Sequence, residues 1–203
     1  MKACIFDLDG TLTNTLESMT YSVNLTLEEM GLSKITKDQC RLFVGNGARV
    51  LIEKSLKAAG DTDASRIEEG MEIYGRIFDR NCTYHVTPYE GIPEMLKALK
   101  DKGIQLAVLS NKPDRQTVKV VKAIFGEELF DYAQGQKEGI RRKPEPDGVW
   151  YLMEQMHVSK EECLYIGDSE VDAATGRNAG LKTIGVFVGD SGDRKNVRNC
   201  GSR

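Results

Sequence analysis

No apolar run in this chain approaches the roughly 20 residues that a membrane-crossing helix needs. The longest, such as Ala3 to Phe6 and Leu106 to Leu109, are only strand-length. Asp7 and Asp9 follow Lys2 too closely to leave room for the apolar core of a secretory signal, so a cytoplasmic location is expected. There is no C-x-x-C pair. The five cysteines are scattered and no histidine pair lies near them, which excludes a zinc site and favours reduced thiols, with Cys4 and Cys163 as small buried hydrophobes. Charge of one sign is also scarce. With a net charge of −3 and no long basic run, composition gives no reason to expect nucleic acid or an anionic membrane as partner. Internal repeats and low-complexity segments are missing too.

What is present is a chain of 203 residues, 40% hydrophobic, enough to bury a sizeable core and carry an insertion. Short apolar runs at Lys2–Phe6, Ile104–Leu109, Cys163–Ile166 and Lys182–Val188 read as buried strands. Helical spacing lies between them: Ile92, Met95, Leu96 and Leu99 form one face, with Pro93 near its start and Gly103 as its stop. Val149, Trp150, Leu152, Met153 and Met156 form another. Strands alternating with helices predict an α/β fold, a doubly wound and mostly parallel sheet. From Thr15 to His85 no strand is evident, while Leu16, Met19, Val23, Leu27 and Met30 keep helical spacing, as do Ile67, Met71, Tyr74 and Phe78. An all-helical insert over 15–85 is therefore expected, with the core built from 1–14 and 86–203. Gly45-Asn46-Gly47 should turn the chain between two helices. Residues 189–203 are polar and are expected to be a loop or a disordered tail.

Polar residues follow the predicted strands: Asp7 and Asp9 the first, Ser110 and Asn111 the second, Asp168 and Asp172 the third. In parallel sheets the carboxyl ends of strands form the ligand-binding edge. Several carboxylates at one edge repel one another unless a cation sits among them, and hard oxygen donors suit Mg²⁺. Lys143, in Lys143-Pro144-Glu145-Pro146, can balance a bound phosphate. Phosphoryl transfer is the chemistry implied.

The strings DLDGT at Asp7 to Thr11, LSNK at Leu109 to Lys112, KPEP at Lys143 to Pro146 and GDSEVD at Gly167 to Asp172 resemble the four ordered motifs of the haloacid dehalogenase superfamily. The resemblance spans residues 1–188 and is greatest to its phosphoglycolate phosphatase subgroup, whose small cap the helical insert matches. It implies Asp7 as a nucleophile forming an aspartyl-phosphate, Asp9 as general acid and base, and Ser110 and Lys143 as phosphoryl-group ligands. It implies Mg²⁺ held by Asp7, Asp168 and the Asp9 backbone carbonyl, with Asp172 orienting the metal's shell. Gly10, Thr11 and Asn111 are expected beside the substrate, and Asn46 and Arg49 are candidates to touch it from the cap. The expected substrate is a small phosphorylated metabolite such as phosphoglycolate. The resemblance says nothing of oligomeric state.

A calcium loop is excluded as the reading of the first motif, because Leu12 and Ser18 stand where glycine and glutamate are required. Hydrolytic dehalogenases of the superfamily lack an aspartate at the position of Asp9, so Asp9 points to phosphorus as the electrophile. A β-phosphoglucomutase-like transferase is the alternative, though such relatives tend to have a hydrophobic residue in place of Thr11. A non-catalytic binding protein on the same fold would have lost one of the key residues. Asn14 stands where the family usually has aspartate, and relatives continue past the Val188 region in a further strand or helix. Ser169 reads as a helix cap, Arg141 and Arg142 as a solvated face, and His85 and His157 as bystanders.

Overall fold

The computed structural model describes residues 1–186. Its centre is a five-stranded sheet, all parallel, in the order β5-β4-β1-β6-β7. The strands are β1 (Ala3–Phe6), β4 (Gln105–Pro113), β5 (Tyr132–Gln136), β6 (Cys163–Gly167) and β7 (Lys182–Gly185). Four of these were legible as apolar runs. Strand β5, YAQGQ, was not, because it has few aliphatic side chains and lies at an edge. The expected disorder over 189–203 falls outside the described residues.

Strand periodicity explains the two-sided core. Cys4 and Phe6 of β1, with Leu106 and Val108 of β4, bury into one cluster; Ala3, Ile5, Ala107 and Leu109 bury into another on the opposite face. Helices α5 (Ile92–Asp101) and α6 (Asp114–Phe125) supply Leu96, Val120 and Val121 to the first. Helices α7 (Asp147–Gln155) and α8 (Glu170–Ala179) supply Val149, Leu152 and Ala179 to the second. Each fully buried aliphatic side chain contributes roughly 1.5–3 kcal/mol. Burial on both faces is why these strands read as continuous apolar runs.

The first apolar cluster continues into a helical layer formed by α1 (Leu16–Glu29), α2 (Lys37–Phe43), α3 (Ala48–Ala58) and α4 (Ile67–Asn81). Val23 and Leu27 of α1 meet Ile52 and Leu56 of α3 and Tyr74 and Phe78 of α4 in that cluster. Two short antiparallel strands, β2 (Thr13–Asn14) and β3 (Thr87–Pro88), pair at the point where the chain enters and leaves this layer. Gly45 and Gly47, both with positive φ, make the turn between α2 and α3. Free Cys4, Cys40, Cys82 and Cys163 are all buried.

Candidate active site

Strand β1 lies between β4 and β6, so the chain's path reverses direction across the sheet there. Ligands bind at such a switch point, beyond the strands' carboxyl ends. Asp7 leaves β1 with its N–H donating 2.8 Å to the Ile166 carbonyl of β6. Ser110, Asn111 and Lys112 form the last part of β4, and Asp168 follows β6 directly. Three parallel strands thereby bring these residues to one edge.

One oxygen from each of Asp7, Asp168 and Asp172 lies within 4.8 Å of the other two. The buried Lys143 ammonium donates to Asp7 Oδ1 at 2.6 Å and to Asp172 Oδ1 at 2.8 Å. Tyr165 also donates to Asp172 Oδ1, while Ser169 donates to Asp172 Oδ2 through both its N–H and its hydroxyl. Both oxygens of Asp172 are thus committed to protein donors. Thr11 donates to Asp168 Oδ1 at 3.0 Å. A second oxygen of Asp7 and of Asp168 remains for a cation, with Asp172 fixing the cradle behind them.

Electrostatics explain why a cation would be favoured there. Three carboxylates face a single ammonium in a site from which water is largely excluded. Burial pushes Asp7 up to about 8, and the charges of Asp172 and Asp9 act the same way against the opposing pull of Lys143. Burial, then the Asp172 charge, also raises Asp168. Burial works against Asp172 as a carboxylate too, but the Lys143 charge and three donors outweigh it and hold its pKa below the usual carboxylate range. Lys143 stays charged because its carboxylate partners override burial. A divalent cation would reverse the penalty on Asp7 and Asp168. The donor set of hard oxygens fits Mg²⁺.

The Asp9 carboxylate stands outside this cluster. It accepts from Thr15 at 2.6 Å and from the ammonium of Lys112, which is buried and lies over the Phe78 ring. Lys112 had no role assigned from sequence, although it closes the LSNK string; nothing in one sequence says that a lysine in such a string reaches across to the first strand. Ser110 is buried and its Oγ accepts from the Lys112 N–H. Asn111 Nδ2 donates to the carbonyls of Lys143 and Gly45.

Gly10 has φ of +94°, and a Cβ there would lie 2.5 Å from Asp168 Oδ2. Neither Gly10 nor Thr11 lines the cavity beside the site; both act on Asp168 instead. That cavity, about 260 Å³, has Asp7, Ser110 and Lys143 on its floor and Met19, Leu51 and Tyr74 of the helical layer on its wall. Arg49 does not line it: the side chain is exposed and pairs with Glu68 of α4. Asn46 is exposed as well, and its carbonyl accepts from Arg142. In α3 the helical repeat turns Leu51 toward the interior and leaves Arg49 outside. From the same layer Arg41, not foreseen, does line the cavity. His85 and His157 are exposed, and Ser169 caps α8 in a capping box with Asp172.

The model of the haloacid dehalogenase-like hydrolases matches residues 4–186. The chain belongs to that family. Within it, the likeness is to phosphoric monoester hydrolases of the phosphoglycolate phosphatase group. The phosphoglycolate phosphatase of Aquifex aeolicus is 34% identical over 183 residues, 90% of this chain and 83% of that one. That of Haemophilus influenzae (strain ATCC 51907) is 32% identical over 192 residues, 91% of this chain and 84% of its own. Among solved structures, a predicted phosphoglycolate phosphatase from Haemophilus somnus superposes with a TM-score of 0.84 at 28% identity, covering 91% of this chain and 84% of that one.

Proposed function

We propose that this chain is a Mg²⁺-dependent phosphatase that cleaves a small phosphomonoester through an aspartyl-phosphate on Asp7. The observation that carries this reading is the close approach of Asp7, Asp168 and Asp172 around one buried Lys143. Asp7, Asp168 and the Asp9 carbonyl are the proposed cation ligands, and the ion would neutralise phosphoryl charge and keep Asp7 ionised.

The Asp7 carboxylate attacks phosphorus in line as the ester oxygen leaves, and Asp9 gives that oxygen a proton. Asp9 then takes a proton from the water that attacks the aspartyl-phosphate, releasing phosphate and restoring Asp7. Lys143 and Ser110 hold the phosphoryl oxygens as their charge develops. Lys112 and Thr15 keep the Asp9 carboxylate oriented between the two half-reactions.

Residues 15–85 act as a cap over a core of 1–14 and 86–186. Its wall over a cavity of about 260 Å³ favours a small metabolite over a polymer. Phosphoglycolate is the first candidate because the relatives named above are phosphoglycolate phosphatases.

The test is phosphate release from p-nitrophenyl phosphate and a panel of small phosphoesters including phosphoglycolate, with and without Mg²⁺. Turnover that depends on Mg²⁺ and vanishes in Asp7→Asn is expected. A folded native chain that releases phosphate from none of them would sink the reading.

A further inference from the structure

Strands β4 and β5 pair at Leu109 opposite Gln134 and next at Pro113 opposite Gln136. Four steps along β4 therefore match two along β5, so Ser110, Asn111 and Lys112 arch out of the ladder. A small second cavity of about 10 Å³ lies at this irregularity, lined by Ser110, Asn111, Gln134, Arg142 and Gly148 among others. That volume holds one water molecule.

Asn111 Oδ1, Gln134 Oε1 and Gln134 Nε2 are the three buried side-chain polar atoms with no hydrogen-bond partner among the described residues. Both side chains line the small cavity, and they are 7% and 2% exposed. Neither amide is fully satisfied among the described residues. Asn111 Nδ2 is already bound to two carbonyls, of Lys143 at 3.0 Å and of Gly45 at 3.2 Å, and only an NH₂ group can serve both. Gly148 cannot contribute a side chain either, since a Cβ there would lie 2.7 Å from Leu109 Cδ1. Buried polar atoms that share a cavity of this size are the setting in which proteins bind internal water.

We infer that this cavity is a binding site for a structural water shared by Asn111 Oδ1 and the Gln134 side chain, and that Gln134 is thereby a positioning residue for the active site. The water donates to Asn111 Oδ1, and the Gln134 amide supplies its remaining partners. Held in this way, Asn111 grips the Lys143 main chain with one N–H and the α2–α3 loop with the other. Gln134 thus acts through Asn111 on two things at once: the seat of the Lys143 ammonium and the closure of the helical layer over the cavity. This catalytic consequence rests on the phosphatase reading; the water site does not.

The test has a structural and a kinetic arm. A high-resolution crystal structure of the native protein is expected to show a fully occupied water within hydrogen-bond distance of Asn111 Oδ1 and Gln134, and loss of that water in Gln134→Met. No density there in the native protein would overturn the assignment, whatever the kinetics. In the second arm, Gln134→Met is expected to lower kcat roughly tenfold, the order expected when a buried acceptor loses its partner. In an Asn111→Ala background the same substitution should change little further. Additive effects of the two substitutions would show that Gln134 does not act through Asn111. Should Gln134→Met fail to fold, Gln134→Glu, which keeps the side chain's size, carries the kinetic comparison. A native chain inactive on every phosphoester would remove the phosphatase reading, and the crystallographic arm would still decide the water site.

Discussion

Asp7 is the residue on which stability and chemistry pull in opposite directions. A carboxyl group raised to about 8 in the folded chain, against about 3.9 unfolded, keeps a proton that the unfolded chain has released. Its contribution is fully present below the unfolded value and is lost as pH rises through about 8. The upward shift of Asp168 adds to the same slope, whereas the lowered Asp172 acts in the opposite sense and only at acid pH. Without metal, the melting temperature should therefore fall from about pH 5 to pH 8. Asp7→Asn should flatten that fall and raise stability at pH 8 while abolishing turnover. Mg²⁺ should stabilise the native chain more at pH 8 than at pH 6, and a pH series of thermal melts checks all three. Lys143→Met is expected to cost roughly 10²–10³-fold in kcat, measured by phosphate release, because it removes a preorganised charge from a dry site.

At this scale the sequence was most informative about residues that leave a strand end and least about those that reach across. Asp7, Asp9, Ser110 and Asp168 were legible because strand ends in a parallel sheet share an edge. Lys112 was not, since its meaning lies in meeting Asp9, which is 103 positions away. Arg49 was misplaced by a plausible loop motif: one helical turn decides whether a side chain faces the cavity or Glu68, and the motif does not record it.

Among the elements, β4 and α8 do the positioning. The capping box of α8 ties Asp172 to Ser169, so the same carboxylate that closes the box at the helix N-terminus also anchors Lys143. Ser169→Ala should cost about 1 kcal/mol as a lost cap and weaken Mg²⁺ activation as well, which titration of activity against Mg²⁺ measures. Gly10→Ala should be worse for the metal than for the fold. Its Cβ would meet Asp168 Oδ2, so the Mg²⁺ needed for half-maximal activity should rise at least roughly tenfold, the usual size of an outer-shell defect. The apolar strands and the helices α5 and α7 were readable from periodicity, but Met95 and Trp150, expected on their apolar faces, are exposed. The irregular end of β4 was not, because a bulge is set by its partner strand, and that partner, β5, has too polar a sequence to announce itself.

Across the whole molecule, polar seams join the helical layer to the sheet beside the shared apolar cluster. Asp79 of α4 accepts from Gln116 and pairs with Arg115 of α6, and Arg142 donates to Asn46 of the α2–α3 loop. Such contacts are individually weak and reversible, which suits the cap role proposed for the helical layer. Asp79→Ala should raise KM severalfold with a smaller change in kcat, and the difference from native should shrink at high salt. That helices α1–α4 follow one another without a strand between them was legible from an interrupted strand–helix alternation; how they seat was not, because their contacts join residues far apart in the chain.

The covalent role proposed for Asp7 is tested most directly by rapid acid quenching of the enzyme during turnover of a phosphorus-labelled substrate, followed by peptide mapping. Label on the peptide that contains Asp7, at that residue and missing from Asp7→Asn, is the expected result. Turnover by the native enzyme with label on another residue, or undiminished phosphate release by Asp7→Asn, would contradict it.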